Sequence, residues 1–114
     1  MRVRMKHADL QKVRGTLAGM EAVLARSHGG AADDESLLEF RGLCWEAMLL
    51  ADDSECQEQI DLLVQCAKDL YSERDHQRVG ALRGELDRAL GALRSRLSSL
   101  ERGYGKRWRD LRAA

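Results

Sequence analysis

The sequence of 114 residues contains no proline and only five aromatic residues. Val, Ile and Thr, the β-branched residues from which strands are preferentially built, are also scarce. Alanine, leucine, arginine and glutamate, which favour helices, are abundant instead. The sequence therefore predicts an all-α protein, a small antiparallel helical bundle of about four helices that forms one domain over residues 1–114.

No apolar run approaches the roughly 18 residues that a membrane span requires. The basic start of the chain is not followed by the apolar stretch of a secretory signal. The three cysteines, Cys44, Cys56 and Cys66, are odd in number and none belongs to a C-x-x-C pair. They are expected to be reduced thiols that pack as small hydrophobic side chains. These features predict a cytoplasmic protein with no membrane partner.

Residues suited to catalysis or metal binding are few. Glu73 and His76 have the E-x-x-H spacing of dimetal bundles, but the second such pair that those sites require is missing. The sequence contains no glycine-rich phosphate loop and no residue placed to activate a cysteine or serine. We therefore expect a non-enzymatic protein with no catalytic residues, no metal and no cofactor.

Apolar periodicity predicts a first helix at about residues 6–27, a helical hairpin at about 34–72 and a long basic helix at about 75–111. The polar residues 52–54 divide the hairpin, and Asp53 is a good N-cap for its second helix. A break with Asp75 as N-cap is expected before the last helix. The reason is that the apolar stripes before and after this break lie about 90° apart around the helix axis. The alternative is one long bent helix over residues 54–111.

The second helix and the first contain features that bear on packing. The second helix has a broad apolar face, with Trp45 expected at the edge of that face. The face comprises Leu37, Phe40, Leu43, Cys44, Ala47, Met48 and Leu50. In the first helix, Gly15 and Gly19 form a G-x-x-x-G pair, which we interpret as tolerated glycines in a charged helix.

The last helix carries one apolar stripe, whose members recur at steps of three or four residues from Val79 onwards. Because this helix is longer than the others, the end of its stripe is expected to be partly bare in a monomer. A bare apolar stripe favours a second chain. The predicted dimer or partner interface consists of Leu93, Leu97, Leu100, Tyr104, Trp108 and Leu111.

The net charge of zero conceals a strong segregation along the chain. Residues 1–28 have six basic and two acidic side chains, residues 29–73 have two and twelve, and residues 74–114 have eleven and five. The acidic middle is expected to face the basic ends. Arginines interspersed with aromatic residues can also bind nucleic acid. The candidate contacts are Arg94, Arg96, Arg102, Lys106, Arg107, Arg109 and Arg112.

These patterns favour a protein–protein interaction module, such as an adaptor, a small chaperone or an assembly subunit. We expect it to form a homodimer through the leucine stripe of its last helix, and it could bind a second protein as well. The alternative hypothesis is a nucleic-acid-associated regulator that uses the arginine-rich end of that helix.

Overall fold

A computed structural model describes residues 5–27, 30 and 33–113, and for residues 104–113 it describes the backbone alone. The chain forms four helices, α1 (His7–Arg26), α2 (Asp34–Leu50), α3 (Ser54–Ser72) and α4 (His76–Ala113). This part of the chain contains no strand. The predicted all-α bundle with a long last helix is confirmed.

Three aspartates fix where the later helices begin. Each lies just before a helix, and its carboxylate accepts a hydrogen bond from a backbone N–H of the first turn that has no partner within the helix. The bonds run from Ser36 N–H to Asp33 at 3.2 Å, from Cys56 N–H to Asp53 at 3.0 Å and from Gln77 N–H to Asp75 at 3.0 Å. These caps explain why the helices start close to the predicted residues.

Two carboxylates make the break between α3 and α4 without glycine or proline. The Glu73 carboxylate accepts hydrogen bonds from the N–H groups of Arg74 and Asp75, both at 3.1 Å. Asp75 then caps α4, so residues 54–111 form two helices and not one. Downstream, α4 continues through Gly103 without a break and ends at Ala113.

The helices occupy the four corners of a bundle, in which α2 and α4 lie at opposite corners. Both of them pack against α1 and α3. The core between the helices is apolar and is filled by side chains with no exposed surface. The largest of these include Phe40, Leu10, Met20, Ile60, Leu63, Leu70, Leu86 and Leu93.

Gly30 positions the described part of the connection between α1 and α2. Gly30 has a φ of 99°, a left-handed conformation that strains other residues. Its N–H donates to the carbonyl of Leu70 at 2.9 Å, near the end of α3. This hydrogen bond ties the described part of the connection to the C-terminal end of α3.

Polar contacts line the seam between α1 and α4. The Arg83 guanidinium of α4 donates to the carbonyls of Leu24 and Ser27, the latter at 2.7 Å, at the C-terminal end of α1. A positive charge there complements the partial negative charge of the helix terminus. Farther along, Arg94 pairs with Glu21 at 2.8 Å. A groove of about 410 Å³ opens along the same seam.

The burial of α4 differs from the prediction. Leu93 and Leu97 are fully buried and Leu100 is half-buried, whereas the sequence predicts that Leu97 is partly bare. The reason is the stagger of α1, which runs beside α4 as far as Glu101. Arg14 of α1 forms an ion pair with Glu101 there.

The two glycines of α1 have different surroundings, which predicts different effects of alanine. A Cβ at Gly15 would meet nothing within 4 Å, whereas one at Gly19 would lie 3.1 Å from both terminal carbons of Leu43. Gly15→Ala should raise the free energy of unfolding by about 1 kcal/mol through helix propensity. Gly19→Ala should gain less or lose stability, because Leu43 must move. Urea denaturation checks the pair, and equal gains would show that Gly19 makes no close contact.

Candidate interaction surface

Helix α2 has a second apolar face on the side away from the core. Leu38, Trp45 and Leu49 are 68%, 67% and 71% exposed, which makes them the most exposed large hydrophobic residues among those described. Trp45 lies about 160° around the helix from the buried Ala47, at 3.6 residues per turn. We refer to Leu38, Trp45 and Leu49 as the outer stripe.

The helical period brings the three residues of the outer stripe into line. They are separated by seven and four residues, so they lie on one side of the helix. No helix of the described chain packs on this side, since α1 and α3 flank the opposite face. Gly42 lies between Leu38 and Trp45, and a Cβ there would meet nothing within 4 Å. The middle of the outer stripe therefore has no protruding side chain.

The outer stripe departs from the sequence prediction. Trp45 was expected at the edge of the core-facing side, but the geometry turns it to solvent, while Leu38 and Leu49 were not singled out at all. The sequence does contain a signal for the outer stripe. Leu38, Trp45 and Leu49 are spaced by seven and four residues on a helix that already has a broad apolar face for the core. An apolar residue opposite such a face has no role in the core.

Acidic residues border the outer stripe. On the edge towards α1 lie Glu35, Glu39 and Glu46. Glu39 forms an ion pair with Arg26, whereas Glu35 and Glu46 are exposed and have no ion-pair partner among the described residues. The opposite edge carries Asp34, Arg41 and Asp52, all exposed. The charge around the stripe is therefore predominantly negative. Elsewhere the acidic middle does meet the basic ends, since Glu39 pairs with Arg26, and Asp53 and Glu55 pair with Arg96.

A groove of about 340 Å³ between α1 and α2 adjoins this acidic edge. Leu43 and Leu50 contribute its apolar wall, Gly15 leaves space on the α1 side, and Lys12 and Glu46 lie at its rim. The groove thus combines apolar surface with one charge of each sign.

Two of the arginines predicted as nucleic-acid contacts are engaged within the chain. Arg96 forms a forked pair with the Asp53 carboxylate at 2.8 and 3.0 Å and also contacts Glu55 at 3.2 Å. Arg94 pairs with Glu21. Arg102 is exposed. The side chains of Lys106, Arg107, Arg109 and Arg112 lie outside the described residues.

The pair between Asp53 and Arg96 is shielded from solvent, with 14% of the Asp53 side chain and 28% of the Arg96 side chain exposed. The hydrogen bonds from Arg96 lower the pKa of Asp53 from 3.8 to about 2, and the backbone bond from Cys56 contributes in the same direction. The same pairing raises the pKa of Arg96. This arginine is thus committed to the start of α3.

The three cysteines are buried and unpaired. Burial raises the pKa of the Cys44 and Cys56 thiols to about 12 and raises that of Cys66 as well. Thiols of this kind are poor nucleophiles near neutral pH because the reactive thiolate is rare. Within the described residues, no three His, Cys, Asp or Glu side chains come together as metal ligands would.

Of the predicted dimer interface, Leu93 and Leu97 are unavailable to a second chain unless the bundle opens, since both have no exposed surface. Leu100 is accessible in part. The side chains of Tyr104, Trp108 and Leu111 lie outside the described residues. No helix of the described chain is both long and apolar enough to cross a membrane.

Comparisons with protein-family models, with curated proteins and with solved structures find no match to this chain. The fold and the surface define a four-helix bundle in which one corner helix presents an apolar stripe to solvent.

Proposed function

We propose that this protein is a non-enzymatic interaction module that binds another protein through the outer stripe of α2. The observation that supports the proposal is the alignment of Leu38, Trp45 and Leu49 on the solvent side of one helix. Single exposed apolar residues are common on protein surfaces, but a contiguous apolar patch bordered by polar residues marks an interaction site.

The energetics favour a binding role over a structural one. An exposed side chain contributes little to the bundle, because substitutions at such positions change stability by at most about 0.5 kcal/mol. Burying a large apolar side chain is worth roughly 1.5–3 kcal/mol. Tryptophan is also the residue most enriched among binding hot spots. Burial of the outer stripe in a complex would thus contribute more free energy than the stripe contributes to the stability of the free chain.

The nucleic-acid hypothesis is the weaker of the two. It relied on seven basic residues, of which Arg94 is held by Glu21 of α1 and Arg96 by Asp53, the N-cap of α3. The homodimer through α4 stays a prediction, confined now to Leu100 and the residues beyond it. A cytoplasmic location is likewise part of the proposal, as is the choice between adaptor, chaperone and assembly subunit.

Site-specific photocrosslinking in the native cells tests the proposal. A photoreactive benzoylphenylalanine in place of Trp45 should give one discrete adduct with another protein. The matched control has the same group in place of Leu62, which is also an exposed large hydrophobic residue but lies on α3. Adding Leu38→Ala and Leu49→Ala should reduce the adduct at position 45 by more than tenfold, because the anchoring contacts are gone.

The folding of each variant is checked by circular dichroism and urea denaturation, which should match the wild type within about 0.5 kcal/mol. Equal adducts at positions 45 and 62, or an adduct that survives the loss of both leucines, would contradict the proposal. An adduct of twice the mass of the chain would identify the partner as a second copy.

A further inference from the structure

The charges around the outer stripe specify the partner further, an inference that rests on the proposed function. We infer that the outer stripe receives an α-helix of a different protein, whose own apolar stripe is bordered by lysine and arginine. The shape, the charge and the symmetry of the site each support this partner.

The shape of the site suits a helix. The outer stripe extends about 17 Å from Leu38 to Leu49, at 1.5 Å per residue, which matches three turns of a partner helix. Its residues recur at helical spacing, as in complexes where one amphipathic helix lies on another. Strand addition requires a sheet edge, and the described chain offers no strand.

The charge of the site suits a basic partner. On the α1 edge, Glu35 and Glu46 are exposed and without ion-pair partners among the described residues. Asp34 and Asp52 add negative charge on the other edge, against which Arg41 is the one basic residue between positions 34 and 52. The groove between α1 and α2 has both Glu46 and Lys12 at its rim, so it adds no net charge to the site. Its apolar wall can accept the aliphatic stem of a lysine or arginine whose charged end reaches Glu46.

Symmetry disfavours a second copy of α2 as the partner. In a two-fold pair, the same patch of both chains meets. When two identical helices pack antiparallel through one face, equivalent edges lie side by side. The edge that carries Glu35 and Glu46 would then lie beside the same edge of the second chain. Like charges placed opposite each other in an interface repel. A partner of opposite charge avoids this cost.

Binding of two synthetic helical peptides to the full-length chain tests the inference. Both peptides have 18 residues and one leucine stripe, and they differ only in the residues that border the stripe, which are lysine in one and glutamate in the other. We expect the lysine peptide to bind at least about tenfold more tightly at low salt, with the difference shrinking as salt rises. Isothermal titration calorimetry measures both affinities.

Variants of the chain separate the charge inference from the proposed function. Trp45→Ala should weaken the lysine peptide about 30-fold, the equivalent of about 2 kcal/mol at a hot spot. Glu35→Lys combined with Glu46→Lys should abolish or reverse the preference for the lysine peptide. The matched control is Glu58→Lys, an exposed glutamate on α3, which should leave the preference unchanged.

Each outcome decides one point. Equal binding of the two peptides, with loss of both in Trp45→Ala, would overturn the charge inference and leave the proposed function standing. If Trp45→Ala leaves the affinity of the lysine peptide unchanged, the outer stripe is not the binding site, and the proposed function is wrong as well. A concentration-dependent dimer in sedimentation that Trp45→Ala dissociates would assign the outer stripe to a second copy.

Discussion

Leu97→Ala should lower the free energy of unfolding by about 2–5 kcal/mol, the usual cost of removing a fully buried leucine. Leu97 has no exposed surface, and the stagger of α1 along α4 encloses it within its own chain. The substitution leaves a cavity that a packed core closes only in part. The cost should therefore be the same at every protein concentration, which urea denaturation at low and high micromolar concentration would show.

The control for this experiment is Leu62→Ala, because Leu62 is 48% exposed on α3 and should cost less than about 1 kcal/mol. A cost at Leu97 that depends on protein concentration would place this residue at a subunit interface, as the sequence suggested. A small cost at every concentration would show that Leu97 is not enclosed.

Asp53→Asn should lower the free energy of unfolding by about 2 kcal/mol at pH 7, and the loss should shrink to roughly 0.4 kcal/mol near pH 2. The folded-state pKa of Asp53 is about 2, against an ordinary value of 3.8. A depressed carboxyl pKa adds stability that is fully present above pH 4 and is lost as the pH falls through the folded-state value. The difference of almost two units corresponds to about 2 kcal/mol.

Asparagine is a suitable substitute because it caps helices about as well as aspartate. The variant therefore keeps the bond to the Cys56 N–H and removes the charge that faces Arg96. Glu58→Gln is the matched control, an exposed carboxylate on the same helix, and it should change stability by less than about 0.5 kcal/mol. If the pH profiles of Asp53→Asn and the wild type run parallel down to pH 2, the pair with Arg96 does not stabilise the fold.

The helices and their limits could be predicted because their signals are local. Asp53 and Asp75 are recognisable as N-caps, and the change of stripe direction between α3 and α4 indicated a break that no glycine or proline marks. Such features depend on neighbours within a few residues. They need no knowledge of how the helices pack.

The position of Trp45 could not be derived in the same way. Apolar residues on several sides of α2 blur its periodicity, so the sequence places Trp45 at the edge of the core face and does not indicate a second face with Leu38 and Leu49. Only the placement of α1 and α3 shows which side is free. The stagger of α1 along α4 could not be read from the sequence either, and it fully buries Leu97, which the sequence predicts to be partly bare.

The seam between α1 and α4 makes the stability of the bundle uneven along its circumference. Arg14, Arg83 and Arg94 hold it with guanidinium contacts, and a groove lies open beside them. Contacts of this kind weaken as ionic strength rises, while buried leucines do not respond to it. Local opening needs less free energy where contacts are few and exposed to solvent. Of the four helix–helix seams in the described part of the chain, this one should therefore open with the least free energy.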